Sequence, residues 1–189
     1  MAMTLNDYFN IRCRETFDAL GNMRNLFTNL SDHVRDNQLK SVIQQQLQAI
    51  QQEMQIFSQI TNSPMPEQMP EHVATTSEEE SGEQLMMIGR TWTGTVGRST
   101  VEHFRLYVTR VPEQVLDVNT AMLSEEVCHF NLGNYTGLIV LAKELGNMDN
   151  ANRLQACIDS QTQLRVRIED TLWQIIRTEH QREEQRKAA

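Results

Sequence analysis

The chain has 189 residues, of which 39% are hydrophobic and 6% aromatic, and its formal net charge is −8. This length supports one domain with a substantial core, and the negative charge argues against a nucleic-acid partner. No apolar run is long enough to span a bilayer, and residues 1–10 lack the basic and apolar regions of a signal peptide. Cys13, Cys128 and Cys157 have no metal-type spacing, which favours free thiols in a reducing cytoplasm.

Residues 4–62 are predicted to form a hairpin of two antiparallel helices. Apolar side chains recur every three or four residues along the first helix, which indicates one buried face. They are Leu5, Phe9, Cys13, Phe17, Leu20, Met23, Phe27, Leu30 and Val34. Asp36 or Asn37 is expected to cap the second helix, and Asn62 with Pro64 to end it. Its apolar line is Leu39, Ile43, Leu47, Ile50, Met54 and Phe57.

Residues 63–98 differ in composition from the helices on either side. Their prolines and the acidic run at 77–82 predict a mobile crossover linker. The sequence Gly-Thr-Val-Gly-Arg-Ser at 94–99 superficially resembles a phosphate-binding loop, but it lacks the Walker lysine and a preceding strand. Ser99 and Glu102 have the spacing of a capping box, which predicts a short helix over 99–110.

Residues 113–176 are predicted to form a second hairpin, and the charged tail at 177–189 is expected to fray. Gly146 is expected to end the third helix and Asp149 to cap the fourth. The apolar line of the third helix is Val115, Val118, Met122, Val127, Phe130, Leu138, Leu141 and Leu145. That of the fourth is Leu154, Ile158, Leu164, Ile168, Leu172 and Ile175, with Gln161 in the same line. Together the hairpins predict a single all-α domain over 1–189.

Glu126 and His129 have a Glu-x-x-His spacing, which places both side chains on one helix face where they could bind one metal ion. A di-metal bundle needs a second copy and carboxylates from the other helices, so a single copy is weak evidence. The alternative is a surface glutamate beside a partly buried, hydrogen-bonded histidine. Cys128 and His129 point about 100° apart on a helix and cannot pair directly as nucleophile and base.

Segments of both hairpins carry a family resemblance. In the first hairpin they are Leu5-Asn-Asp-Tyr-Phe9, Glu15-Thr-Phe-Asp-Ala19 and residues 39–47. In the second they are Val127-Cys-His-Phe130, Asn134-Tyr-Thr-Gly-Leu138 and Leu141-Ala-Lys-Glu-Leu-Gly146. These segments resemble a bacterial ferritin-like family known by the YciE and YciF names. The resemblance implies a ferritin-like four-helix bundle of two antiparallel hairpins, often dimeric, with a short additional helix in the crossover.

The resemblance also identifies where a metal centre would be expected. Members of that family bind two metal ions through a glutamate on the first helix, a Glu-x-x-His on the second and acidic residues on the third and fourth. The corresponding positions hold Leu20, Gln48, Gln51, Cys128, Asn131, and Ser160 or Gln161. The resemblance therefore implies a vacated metal site, and no cofactor is expected. Neutral side chains avoid the cost of burying several carboxylates without a metal ion.

The leading functional hypothesis is a non-catalytic, metal-free bundle that acts as a structural or protein-interaction protein in the cytoplasm. It predicts a homodimer or another protein partner, with no nucleic-acid or membrane partner. Surplus apolar residues at Ile11, Leu26, Ile139 and Val140 are expected to supply the dimer face.

Two alternatives remain open at this point. One is a ferritin-like di-metal-binding protein or oxidase with a relocated site at Glu15, Glu53, Glu126 and His129, which requires these four side chains to converge. The other is a stress-associated or small-ligand-binding bundle that uses its neutral core as a pocket.

Overall fold

A computed structural model describes residues 3–62 and 113–188, which form four α-helices. Helix α1 spans Leu5–Ser31, α2 Asn37–Thr61, α3 Glu113–Glu144 and α4 Met148–Ala188. The linker predicted at 63–98 and the short helix predicted at 99–110 lie outside the described residues. The prediction that the charged tail frays is wrong, because α4 continues through it to Ala188. Residues with high helix propensity and the ion pair between Glu179 and Arg182 favour helix there.

Local capping contacts set the ends of the first hairpin. The hydroxyl of Thr4 accepts a hydrogen bond from the N–H of Asp7, and the Asp7 carboxylate accepts one from the N–H of Thr4, so the two form a capping box before α1. Asp36 accepts from the N–H of Leu39 at 2.9 Å, which confirms one of the two predicted caps of α2. Asn62 ends α2, as predicted, in the left-handed conformation with φ of 51°.

The turn between α3 and α4 is a Schellman motif. Gly146 has a φ of 72°, the N–H of Asn147 donates to the carbonyl of Ala142 at 2.8 Å, and the N–H of Gly146 donates to Lys143 at 3.0 Å. The prediction that Gly146 ends α3 is therefore confirmed. The prediction that Asp149 caps α4 is wrong, because Asn147 accepts from the N–H of Asn150 at 3.2 Å and Asp149 lies in the first turn.

The helices pack around the bundle in the order α1, α2, α4, α3, as their contacts show. Asp117, near the start of α3, contacts the connection between α1 and α2. Helix α3 therefore begins at the end of the bundle where α2 begins and runs parallel to it. Arg153, near the start of α4, donates to Gln59 near the end of α2, so these two helices are antiparallel. Ferritin-like bundles have this arrangement, in which two antiparallel hairpins are joined so that the second and third helices run parallel.

The apolar lines predicted from the sequence form most of the core. Phe9, Phe17, Phe27 and Phe57 are buried together with leucines and isoleucines from all four helices. Three positions of these lines differ from the prediction, because Leu5, Val115 and Met122 are 61%, 37% and 48% exposed. Within the described ranges, no helix carries an apolar stretch suited to crossing a lipid bilayer.

We predict that Asp117→Ala lowers the free energy of unfolding by about 1–2 kcal/mol, because it removes two hydrogen bonds to a carboxylate. One carboxylate oxygen of Asp117 accepts from the N–H of Arg35 at 3.1 Å and the other from the N–H of Asp36 at 3.0 Å. These bonds join the second hairpin to the first. Chemical denaturation measures the change, with Asp170→Ala on the exposed face of α4 as the control. Equal stability of the two variants would contradict the prediction.

Candidate functional site in the bundle core

A line of buried polar side chains runs along the inside of the bundle, and we call it the polar seam. Its residues are Gln46 and Glu53 on α2, Thr120, Ser124, Cys128, Asn131 and Tyr135 on α3, and Gln161 on α4. All are at most 1% exposed. The five residues on α3 recur every three or four positions, so they share the face that points inward. The seam holds most of the buried polar residues of the described bundle.

Glu53 is the carboxylate of the polar seam, and two neutral groups bind it. The hydroxyl of Tyr135 donates to Oε2 at 2.6 Å, and the side-chain amide of Gln161 donates to Oε1 at 2.7 Å. The ring of Tyr135 packs against Phe57, with 5.6 Å between the ring centroids. One carboxylate therefore links α2, α3 and α4 through hydrogen bonds that need no metal ion.

Burial controls the protonation of Glu53. Loss of solvent raises the pKa of this carboxyl group to about 7, although the hydrogen bonds from Tyr135 and Gln161 favour the charged form and oppose the shift. The pKa of Tyr135 lies well above its ordinary value, first because the phenol is buried and then because the Glu53 carboxylate is close. The tyrosine therefore remains a hydrogen-bond donor at neutral pH.

The cysteines are not arranged as nucleophiles. All three are buried free thiols. Burial raises the pKa of Cys13 to about 12 and raises the pKa values of Cys128 and Cys157 even further, with nearby carboxylates adding to the effect at the latter two. Because the thiolate is the reactive form, these side chains have little nucleophilic character.

Four of the six residues at the vacated ligand positions point into the core. Leu20, Cys128, Asn131 and Gln161 are at most 1% exposed. The inward placement of Gln48 and Gln51 is wrong: Gln48 is exposed, and Gln51 is only partly buried, with its side-chain oxygen 3.5 Å from Arg24. The buried stripe of α2 instead includes Gln46, Ile50, Glu53 and Phe57, which are spaced by four, three and four residues.

The relocated metal site is not assembled. Glu15 is buried beside Arg12, with 3.1 Å between the charged groups, and Glu53 lies in the polar seam. Glu126 is exposed, and His129, expected to be partly buried, is exposed as well and pairs with Glu125 at 3.0 Å. Across the described ranges 3–62 and 113–188, no three histidine, cysteine, aspartate or glutamate side chains are grouped to hold a metal ion. The donor set does not fit a di-metal centre, which requires several carboxylates and imidazoles.

A surface groove of about 400 Å³ lies between α1 and α3, away from the polar seam. Its lining includes Tyr8 and Arg12 from α1 and Phe130, Gly133 and Gly137 from α3. The guanidinium of Arg12 donates to Glu15 on the same helix at 3.1 Å and to the side-chain oxygen of Asn134 on α3 at 2.9 Å. The polar wall of the groove is thus engaged in contacts within the protein.

The bundle has a ferritin-like fold, and two solved structures share this fold. The stress protein YciF of E. coli superposes with a TM-score of 0.72 at 14% sequence identity, covering 93% of this chain and 99% of YciF. YcfI from Rhodopseudomonas palustris, for which a structural role has been suggested, gives a TM-score of 0.68 at 14% identity, covering 88% of this chain and 93% of YcfI. The sequence matches no protein-family model and no curated protein sequence.

These similarities confirm two predictions from the sequence. The chain has the all-α, ferritin-like four-helix fold, and it resembles proteins of the YciE and YciF type. At 14% identity the likeness establishes the fold alone.

Proposed function

We propose that this chain is a non-catalytic, metal-free ferritin-like bundle that acts as a structural or protein-interaction protein. The observation that carries the proposal is the environment of Glu53. Its two carboxylate oxygens accept hydrogen bonds from Tyr135 and Gln161, which are neutral. The other residues of the polar seam are also neutral amides, hydroxyls and a thiol. One carboxylate cannot balance the charge of two metal ions.

The comparisons support the same type of role. The neighbours are described as a stress protein and as a protein for which a structural role has been suggested. We extend both descriptions to this chain as part of the proposal, so that its role is structural and associated with stress. The buried free thiols fit a reducing compartment, and we assign the protein to the cytoplasm on that basis.

Titration with iron(II), manganese(II) or zinc(II) tests the proposal through thermal unfolding. A ligand that binds the folded state at a hundredfold excess over its Kd stabilises it by about 2.7 kcal/mol. We expect no saturable rise in melting temperature, because the polar seam offers one carboxylate. The variant His129→Ala identifies any weak metal binding at the surface pair of His129 and Glu125. A saturable rise that persists in this variant, with two ions bound per chain, would contradict the proposal.

The partner that we propose first is a second copy of the chain. Leu5 and Val140 are 61% and 56% exposed, and Tyr8, also exposed, lines the groove between α1 and α3. Exposed apolar residues beside a groove on one face favour a twofold-symmetric contact. The face differs from the one predicted from the sequence, because Leu26 and Ile139 are buried within the bundle.

We predict that the chain elutes as a dimer and that Val140→Glu shifts it to a monomer of 21.9 kDa. The charge would be buried without a partner at the interface, which is strongly unfavourable. Light scattering coupled to gel filtration measures the mass. Val166→Glu, which changes an equally apolar and 50% exposed residue on α4, is the matched control. A monomeric wild type, or loss of the dimer only in the control, would contradict this assignment.

A further inference from the structure

Four buried polar atoms of the polar seam make no hydrogen bond within the part of the chain that the structure describes. They are Gln46 Oε1, Thr120 Oγ1, Asn131 Nδ2 and Gln161 Oε1. Each side chain is at most 1% exposed. A buried polar group without a hydrogen bond costs about 1–3 kcal/mol, so groups of this kind in a folded protein are nearly always satisfied by protein atoms or by ordered water.

The first pair of these atoms belongs to Asn131 and Gln161, of which Gln161 contacts Glu53 directly. Gln161 uses its amide N–H to bind Glu53, which leaves its oxygen as an acceptor. Asn131 is one helical turn before Tyr135, whose hydroxyl binds the other carboxylate oxygen of Glu53. Asn131 offers an N–H donor on the inward face of α3, and Gln161 offers an acceptor next to Glu53. A water molecule accepts from one and donates to the other, and its remaining groups suit the Glu53 carboxyl.

The second pair, Gln46 on α2 and Thr120 on α3, lies nearer the start of α3. The amide nitrogen of Gln46 makes long contacts to the carbonyl of Ser124 at 3.4 Å and to the Cys128 sulfur at 4.0 Å. Thr120 is one turn before Ser124 on the inward face. The oxygen of Gln46 is an acceptor, and the hydroxyl of Thr120 can donate or accept. A water molecule can donate to both oxygens, or it can donate to Gln46 Oε1 and accept from the hydroxyl of Thr120.

We propose that the polar seam binds ordered water molecules inside the bundle, one held by Asn131 and Gln161 beside Glu53 and one held by Gln46 and Thr120. Water fits this set of groups better than a cation does, because Glu53 is the one acidic side chain of the seam and water can both donate to oxygens and accept from an N–H group. The inference deepens the proposed function and rests on it, since the waters occupy the region where a ferritin-like bundle would place metal ions. The neutral amides then have a role, which is to hold solvent in the core.

A crystal structure at a resolution that shows ordered water, with diffraction recorded at the iron and zinc absorption edges, tests this inference. We expect density without anomalous signal within hydrogen-bond distance of Asn131 Nδ2 and Gln161 Oε1, and the same near Gln46 Oε1 and Thr120 Oγ1. Direct contacts among these side chains with no density between them would overturn the water sites and leave the proposed function intact. An anomalous peak would overturn both.

The variant Asn131→Leu provides the matching test. The apolar side chain removes a donor and fills its space, so we expect the density beside Gln161 to disappear while the hydrogen bond between Tyr135 and Glu53 remains. Gln48→Leu, on the exposed surface of α2, is the control and should keep both waters. Retention of the density in Asn131→Leu would overturn the assignment of that site. The wild-type crystal decides the question even if the variant fails to fold.

Discussion

Replacing Gln161 with glutamate is expected to lower the free energy of unfolding at neutral to alkaline pH by about 3–5 kcal/mol, the usual cost of an uncompensated buried charge. The side chain of Gln161 donates to Glu53 at 2.7 Å, so the substitution puts a second carboxylate in contact with the first. Like charges at this distance cannot both ionise in a buried site. This is the largest effect that the account predicts for a nearly isosteric change.

The variant should recover stability in acid, because two protonated carboxyl groups can hydrogen-bond to each other without repulsion. The carboxyl groups of the variant have a higher pKa in the folded state than in the unfolded chain. The loss of stability is therefore absent below the ordinary glutamate value of 4.5 and grows as the pH rises. Denaturation curves at several pH values measure this. Gln48→Glu makes the same change on the exposed face of α2 and should have little effect. Equal losses in the two variants would show that Gln161 is not in contact with a buried carboxyl group.

The second large effect is the pH dependence of the wild-type protein. The pKa of Glu53 is about 7 in the folded state against an ordinary value of 4.5. The folded protein therefore holds a proton that the unfolded chain has released between these values. The contribution of Glu53 to stability therefore falls as the pH rises through this window and levels off above it. The shift corresponds to roughly 3 kcal/mol at 1.4 kcal/mol per pKa unit.

The variant Glu53→Gln isolates this contribution, because it removes the titrating group and keeps the shape of the side chain. The oxygen of the new glutamine can accept from Tyr135, and Gln161 can turn its amide so that its oxygen accepts from the new N–H group. We expect the stability of the variant to vary less between pH 4.5 and 8 than that of the wild type, by roughly 3 kcal/mol. Parallel curves for the two proteins would mean that Glu53 titrates normally.

The sequence predicts the fold well because helices and their ends depend on local chemistry. The apolar spacing of Phe9, Phe17, Ile50 and Phe57 identified faces that are buried in the structure. Gly146 could be recognised because glycine adopts a positive φ at low cost. The cap of α4 was misplaced by two residues, since Asn147 and Asp149 are both good capping residues and only the backbone geometry distinguishes them.

The candidate site was predicted less well because it depends on helical phase. A displacement of two residues on a helix rotates a side chain by about 200°, from the core to the solvent. The ungapped family correspondence pointed to Gln48 and Gln51, whereas Gln46 and Glu53 are the buried polar residues of α2. The available signal was that Glu53 follows Ile50 by three residues and precedes Phe57 by four. Charged residues are rarely fully buried, so spacing alone is a weak signal for a buried glutamate.

Tyr135 shows a further limit of pattern reasoning. It lies in a segment that resembles the YciE and YciF family, and the apolar line predicted for α3 does not include it. Its burial requires a partner for the hydroxyl group, and that partner is Glu53, 82 positions away in the sequence. Each of these polar residues is unfavourable in the core alone and acceptable as part of the seam. Pairings of this kind emerge only when the helices are brought together.

The central claim is that the core of this ferritin-like bundle is a metal-free, hydrogen-bonded polar seam. The most direct measurement is the metal content, by plasma mass spectrometry, of protein purified without chelators or an affinity tag. We expect far less than one equivalent of iron, manganese or zinc per chain, because Glu53 is the one carboxylate of the seam and neutral groups bind it. About two equivalents of iron or manganese would contradict it and would restore the di-metal interpretation.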